Sequence, residues 1–391
     1  MKNAMTYRAE SSYKPTGILV LEDGSHFYGH HLTPNSDTEG EICFNTAMTG
    51  YQEVISDPSY AAQIVVFSFP HIGNVGVNDD DQESSKSYLN GIIMGTPPTN
   101  PSNFRAKTSL LEYIAQRDIK GLHSVDTRTL IKKIVASPTP LKGKIQTIQG
   151  ILTDNQIAQI ALSASTIQVL SGKNLAVQVG TQHSFSWQNK IGESPEKNIL
   201  PYRIAVLDFG VKTNILKKLD ARGVDCTVFP PTVSAETLIK EQIDGVVLSN
   251  GPGDPRALEL SVLETVKKLI HKQIPILGIC LGYQLLARIY GAKIEQLPSG
   301  HHGINHPVKD LITGKVLITS QNHEFVVEED ELPDDLTPTH RSLFDGTLEG
   351  FKIINKPIIA VQFHPEASPG PHDAEFLFDH FLSLVSHAAK K

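Results

Sequence analysis

The chain has 391 residues, 40% hydrophobic and 20% charged. At roughly 150 residues per domain this is two or three domains with a sizeable core, which excludes a single small module and a disordered chain. Thirty-five Lys and Arg against 42 Asp and Glu leave a net charge of −7, so there is no whole-chain basic footprint and no nucleic-acid partner is expected.

In chain order, residues 1–15 are polar and lack the apolar stretch of a signal peptide; 1–16 read as a flexible tail. Between 17 and 180 the signals are mixed. Residues 18–21 read as a strand ended by Glu22-Asp23-Gly24, and 63–67 as another ended by Pro70. Helices are expected over 109–117 and 126–136, the second with Asp126 positioned to cap its first amides. This region is read as a distinct N-terminal mixed α+β domain, 17–180. Residues 181–200 are polar, with Trp187 the one large apolar side chain in their middle, and are expected to be a linker.

From 201 onward the pattern is regular. Strands are expected at 203–208, 224–229, 245–249, 274–280 and 358–363, and helices at 214–222, 234–242, 259–271 and 281–290. Short, near-continuous apolar strands alternating with helices mean an α/β domain over 201–391, a doubly wound, mostly parallel sheet covered on both faces. Ligands bind such sheets at the carboxyl ends of the strands. Functional residues are therefore expected just after Asp208, Ser249 and Ile279, and at the end of strand 358–363. The most apolar run, 274–286, is interrupted by Pro275, Gly278, Gly282 and Gln284 and is too short to span a bilayer, so no membrane association is expected. Three cysteines, Cys43, Cys226 and Cys280, form no C-x-x-C pair, which fits neither a disulfide framework nor a zinc knuckle and points to a reducing cytoplasm.

The strand-end rule can be set against the motifs. Cys280 closes one strand and opens the helix Leu281-Gly282-Tyr283-Gln284. A side chain at such a turn is pushed out at the sheet edge, over a helix N-terminus that favours a thiolate. On spacing alone a buried structural cysteine fits equally well. His364 ends the strand 358–363, and Glu366, two residues on, shares its direction in extended chain. A carboxylate behind an imidazole fixes the tautomer that a Cys–His pair needs. Gly251-Pro252-Gly253-Asp254-Pro255 follows a third strand end. It is either half of an oxyanion hole or a plain turn. Neither a phosphate loop nor a dinucleotide fingerprint is present. His301, His302 and His306, with Asp310 beyond, are read as a loop or interface cluster rather than a metal site.

Together, Gly278-Ile-Cys280-Leu-Gly-Tyr-Gln284 and His364-Pro-Glu366 resemble the triad-type glutamine amidotransferases. More specifically, Ser249-Asn-Gly-Pro-Gly-Asp-Pro255, Gly300-His-His-Gly303, Asn305-His-Pro307, Ser342-Leu-Phe-Asp-Gly-Thr347 and His364-Pro-Glu-Ala-Ser-Pro-Gly-Pro-His-Asp373 resemble the small subunit of carbamoyl-phosphate synthetase. In the first half, Met48-Thr-Gly-Tyr-Gln-Glu53, Asp57-Pro-Ser-Tyr60 and Pro70-His-Ile-Gly-Asn-Val-Gly76 are similar to the same family and are not shared by amidotransferases generally. The resemblance covers about 18–384. It implies a glutaminase in a heterodimeric ligase complex serving arginine and pyrimidine biosynthesis. Cys280 would be the nucleophile, His364 the acid–base group and Glu366 its orienter, with the backbone of Gly253 and Leu281 as the oxyanion hole. L-Glutamine would be held by Ser59, Gly251, Gly253, Leu281, Gln284, Asn322, Glu324 and Phe325. The resemblance also implies no cofactor in this chain, with ATP, magnesium and bicarbonate used by a large synthetase subunit. Two positions depart from the family. Tyr283 stands where His is frequent, and Glu324 where Gly is usual, a change that would be strained if the position needed positive φ. Two other classes stay open on the residues alone: a stand-alone γ-glutamyl hydrolase or cysteine peptidase, and a non-catalytic scaffold subunit.

Overall fold

The structure is a computed structural model and describes residues 14–34, 36–187 and 200–390. Most of the expected tail, 1–16, and most of the expected linker, 181–200, lie outside the described residues.

The first half is built on a closed barrel of seven strands: β1 (Gly17–Leu21), β2 (His26–His31), β3 (Thr38–Asn45), β4 (Gln63–Phe67), β5 (Gly91–Ile93), β6 (Gly121–His123) and β7 (Leu141–Thr147), in the spatial order β1-β2-β6-β5-β4-β3-β7. Antiparallel pairing of β1 with β7 closes it, from Gly17↔Thr147 to Leu21↔Gly143. Helices α1 (Tyr51–Ser56), α2 (Leu110–Gln116), α3 (Thr127–Ala136), α4 (Asp154–Ser165) and α5 (Ala176–Val179) accompany the strands. Strand β4 shows why the sequence reads as continuous hydrophobicity. Its Ile64 and Val66 pack with Leu130 and Ile134 of α3, while Val65 and Phe67 pack with α1 and α2 on the opposite face. Both faces are covered, so the period-2 alternation of a half-exposed strand is absent. Asp126 accepts the Thr129 N–H at α3, as expected from the sequence, and Ser109 with Glu112 forms a capping box at α2.

The second half is a ten-stranded sheet. Its strands are β8 (Phe185–Ser186), β9 (Arg203–Leu207), β10 (Asp225–Phe229), β11 (Gly245–Leu248), β12 (Ile276–Ile279), β13 (Ile294–Asp310), β14 (Val316–Val327), β15 (Leu336–Ser342), β16 (Leu348–Ile353) and β17 (Ile358–Val361). The spatial order is β14-β13-β15-β16-β17-β12-β11-β9-β10-β8. Strands β17, β12, β11, β9 and β10 run parallel. Five of the ten strands are thus parallel, fewer than the expected mostly parallel sheet, because β13 to β16 add an antiparallel extension. On one face of the parallel block lie α7 (Ala235–Lys240), α8 (Leu260–His271) and α9 (Leu281–Ile289). On the other lie α6 (Thr213–Asp220) and α10 (Phe376–Ala389). Each fully buried Leu, Ile, Val or Phe in these two layers contributes about 1.5–3 kcal/mol, which is why the short strands need so little periodicity to be specified. Among the described residues, no helix is long and apolar enough to cross a membrane.

The stretch expected as linker does not leave the fold at its start. Phe185 and Ser186 pair antiparallel with β10, and the Trp187 N–H donates to Cys226 O at 2.8 Å. The polar composition hid this because the strand is only two residues long and Phe185 is exposed.

The junction of β12 and α9 is packed against backbone. A Cβ on Gly282 would lie 2.2 Å from Leu248 O. Gly282→Ala should therefore force β11 and α9 apart and destabilise the chain by about 1–3 kcal/mol, read as a lower urea midpoint at unchanged m-value. An unchanged midpoint would show that the junction yields without cost.

Candidate active site

Cys280 sits between Ile279 and Leu281 at φ 52° and ψ −102°, a conformation rare for any residue with a side chain. Three backbone hydrogen bonds hold it there. Cys280 N donates to Val361 O (2.9 Å), Gly282 N to Ser249 O (3.1 Å) and Gln284 N to Cys280 O (3.0 Å). The site is therefore knitted from the carboxyl ends of β11, β12 and β17. Burial, then the negative charges of Asp57, Glu324 and Glu366, push the Cys280 thiol well above its usual range, and the Leu281 N–H at the head of α9 opposes them. At rest the sulfur is a thiol, with Sγ donating to Asn322 O at 3.6 Å.

His364 follows β17 and is fastened to β14, its N–H donating to Ser320 O at 3.0 Å. Ser320 and Asn322 are two apart on that strand, so β14 touches His364 through one and Cys280 through the other. Glu366 Oε1 lies 2.6 Å from His364 Nδ1. That contact places the proton on Nδ1 and leaves Nε2 a lone pair, buried and without a hydrogen-bond partner, the form in which an imidazole takes a proton from a thiol. Behind Glu366 stands Lys212, 2% exposed, whose Nζ donates to Glu366 Oε1 at 3.0 Å and to Ala367 O at 2.6 Å. Burial alone would lower the Lys212 ammonium, but Glu366, Glu83 and Asp57 hold it raised. Burial alone would likewise raise Glu366, but Lys212 and then His364 bring it down to about 2. The carboxylate is thereby charged at every physiological pH.

The glycine-rich loop after β11 faces this pair. Gly253 has φ +92°, and a Cβ on Gly251 would lie 2.1 Å from Phe209 O, so both positions require glycine. The Asp254 carboxylate accepts the Gly172 N–H at 2.8 Å, which ties the loop to the segment joining the two halves. Ser59, after α1 in the barrel half, accepts from Asn250 Nδ2 at 2.9 Å. Gln284 Nε2 donates to Phe325 O (2.8 Å) and to Gln362 Oε1 (3.1 Å). Ser59, Asn322 and Glu324 thus meet across the seam between barrel and sheet, while Gln284 and Phe325 bond each other within the sheet half.

Two positions of concern resolve differently. Tyr283 is fully buried, donates its hydroxyl to Leu348 O at 2.9 Å and packs on Phe351, so it belongs to the core. Glu324 lies in the extended strand β14, so positive φ is not asked of it. Its carboxyl accepts from Gln63 Nε2 and lies 3.4 Å from His302 Nε2. His301, with His323 and Glu349, forms a buried group whose His301 is flanked by carboxylates, Asp345 at 2.8 Å and Glu349 at 3.7 Å. Burial would lower this imidazole, but the two carboxylates raise it to about 9.

Lys212, Asp57 and Glu83 escaped the sequence reading. A lone Lys four residues past a strand looks like a solvated side chain. The signal available was position alone, since Lys212 follows the carboxyl end of β9, where ligand-facing residues were expected. Asp208 itself is a loop anchor, accepting from Gly210, Val211 and Thr181 backbone N–H groups.

Comparison with known proteins adds independent findings. Residues 205–384 match the family described as glutamine amidotransferase class-I, and 19–145 match the carbamoyl-phosphate synthase small chain, CPSase domain. The carbamoyl phosphate synthase small chain of Salmonella typhi is 44% identical over 380 residues, covering 95% of this chain and 98% of that relative. That of Escherichia coli K12 is 43% identical over 383 residues, covering 96% and 98%. Among solved structures, a glutamine amidotransferase from Thermotoga maritima is 17% identical, with a TM-score of 0.36, covering 49% of this chain and 99% of that one.

Two outcomes test the electrostatics. Lys212→Met should strand Glu366 as a buried charge without its cation, costing about 3–5 kcal/mol of stability. The acid limb of the activity profile should move to higher pH, because the Glu366 carboxyl rises from about 2; an unmoved limb would remove Lys212 from the relay. The second concerns His301. Its folded pKa is raised, so its contribution is full below the unfolded value near 6.5 and is lost as pH climbs through about 9. The stability gap between wild type and His301→Asn, from urea unfolding at pH 6 and pH 10, should shrink at the higher pH.

Proposed function

The chain belongs to the carbamoyl phosphate synthase small chain family, and from that premise we propose that it hydrolyses glutamine with Cys280, His364 and Glu366 and delivers the ammonia to a large synthetase subunit. It is the glutamine-hydrolysing subunit of a carbamoyl-phosphate synthase. The observation that carries the mechanism is the run Lys212–Glu366–His364 ending in a bare, buried Nε2 beside the strand that touches Cys280 Sγ.

Proton transfer from Cys280 to His364 Nε2 generates the nucleophile, and Glu366 stabilises the imidazolium. The thiolate attacks the side-chain carbonyl carbon of glutamine, and the oxyanion is held by the backbone N–H groups of Leu281 and Gly253. The imidazolium then protonates the departing nitrogen, giving ammonia and a γ-glutamyl thioester. Water, deprotonated by His364, hydrolyses the thioester to glutamate and restores the thiol. Ser59, Gly251, Gly253, Leu281, Gln284, Asn322, Glu324 and Phe325 hold the substrate. This step needs no metal or cofactor from this chain; ATP, magnesium and bicarbonate act on the large subunit.

We take residues 17–180 and 201–391 as the two domains, the second with the doubly wound arrangement of triad-type amidotransferases. A cytoplasmic setting is supported by three buried cysteines, none of them in a disulfide. Neither membrane nor nucleic acid enters this reading. A stand-alone hydrolase would leave the barrel half unexplained.

The test measures glutamate release from glutamine by the purified chain alone and with large subunit, ATP and bicarbonate. Slow release that rises sharply in the full mixture, with carbamoyl phosphate appearing, is expected. Rapid release indifferent to the partner would favour the stand-alone hydrolase. Cys280→Ser should reduce glutamine-dependent synthesis at least about 1000-fold while the large subunit still uses added ammonia. Surviving glutamine use would show that another group is the nucleophile.

A further inference from the structure

One corner of the seam between barrel and sheet holds more hydrogen-bond acceptors than donors. Asn322 Nδ2 donates to Asp57 Oδ2 at 2.8 Å, so Asn322 Oδ1 is the acceptor that meets His302 Nδ1 at 3.0 Å. Nδ1 therefore carries the ring proton. Burial keeps this imidazole neutral, lowering it to about 3, and Nε2 is a lone pair with no hydrogen-bond partner, 3.4 Å from Glu324 Oε1. Gln63, fully buried, donates its Nε2 to the same carboxyl oxygen, and its own Oε1 has no partner. Two unpartnered acceptors thus flank one buried carboxyl. A buried acceptor without a partner is unfavourable, so a group with several N–H donors is what this corner lacks.

Its position is suited to the substrate. Asn322 O touches Cys280 Sγ, and Glu324 lies two residues further along the same strand, about 7 Å away. In glutamine the α-nitrogen is four bonds from the carbonyl carbon under attack, about 5 Å when extended at ~1.5 Å per bond. We propose that the Glu324 carboxylate is the counter-ion for the α-ammonium of glutamine, with His302 Nε2 and Gln63 Oε1 accepting its other N–H groups. This assignment rests on the glutaminase reading above and deepens it: the residue selects amides that carry a neighbouring ammonium.

The electrostatics of the resting site agree. Burial and then Glu41 raise Glu324 to about 8, so in the free protein its carboxyl is protonated. When the ammonium arrives, that proton passes to solvent and a carboxylate–ammonium pair replaces it.

The experiment compares glutamine with glutaramate, the same amide without the α-amino group, in the complete complex. In Glu324→Gln, the ratio of kcat/KM for glutamine to that for glutaramate should fall at least tenfold, through KM for glutamine; turnover of glutaramate reports that the site is folded. A ratio within threefold of wild type overturns the proposal. Should Glu324→Gln not fold, calorimetry on the Cys280→Ser chain with the native Glu324 decides. Glutamine binding at pH 7 should release about one proton, measured in buffers of different ionisation enthalpy, and glutaramate none. Equal release by the two ligands overturns the proposal. A wild-type complex that turns over neither amide sinks the glutaminase reading itself, and a Cys280→Ser chain that turns over glutamine sinks the nucleophile assignment, whatever the ratio. A Cys280→Ser chain without turnover, together with an unchanged ratio, removes only the counter-ion role.

Discussion

A single buried ammonium organises this molecule. Lys212 projects from the loop after β9, bonds the Glu366 carboxylate after β17, and sits in the field of Glu83 from the barrel half. Glu83 in turn accepts the Asn214 N–H at 3.1 Å and the Ser368 hydroxyl. Three separate segments are therefore pinned around one charge. Desolvating such a set costs several kcal/mol per ion, and the attraction offsets this only when the geometry is complete. The compensation lies in what the pair positions. A carboxylate that could protonate would release the His364 ring, and one held at about 2 cannot do so at neutral pH.

The proposed nucleophile, Cys280, is kept in the opposite condition. Where Glu366 is paired with the Lys212 ammonium, Cys280 is buried among carboxyls and strained at φ 52°. The same fold thus separates two groups that, in the proposed reaction, must be charged at different moments. Glu366 is ionised throughout, whereas Cys280 ionises only when something reorganises its surroundings. Backbone strain of about 1–3 kcal/mol at such a residue persists only where neighbours over-determine it. Here the three hydrogen bonds from β11, β17 and the first turn of α9 do so.

Legibility in the sequence followed the number of covered faces and the length of each element. The parallel strands and their helices were readable because each combines a compact apolar run with a cap or a glycine turn. Cys280, His364 and Glu366 drew attention in the sequence because each falls at or just after a strand end, where the topology rule points. The barrel was not readable. Strands β2 (HFYGHH) and β7 (LKGKIQT) mix charge and glycine, and β5 and β6 have three residues each, too short for any period to register. The antiparallel extension escaped for a related reason. Strand β13 bends at two register shifts, between Gln296 and His301 and between Gly303 and His306, so its seventeen residues never show one alternation. Lys212 and Gln63 were invisible in another way. Nothing about a Lys or Gln in sequence tells that the fold will bury it, because burial comes from partners far along the chain.

The two-residue strand β8 has a consequence for the life of the molecule among its own kind. Without it, β10 would be the outermost strand of a nine-stranded sheet, offering a row of unpaired backbone groups to any extended peptide. Phe185 and Ser186 pair with Val228 and Thr227, and Trp187 follows with its bond to Cys226 O. The segment that departs from the barrel half thus serves as an edge guard for the other, and self-recognition through that edge is blocked from within the same chain.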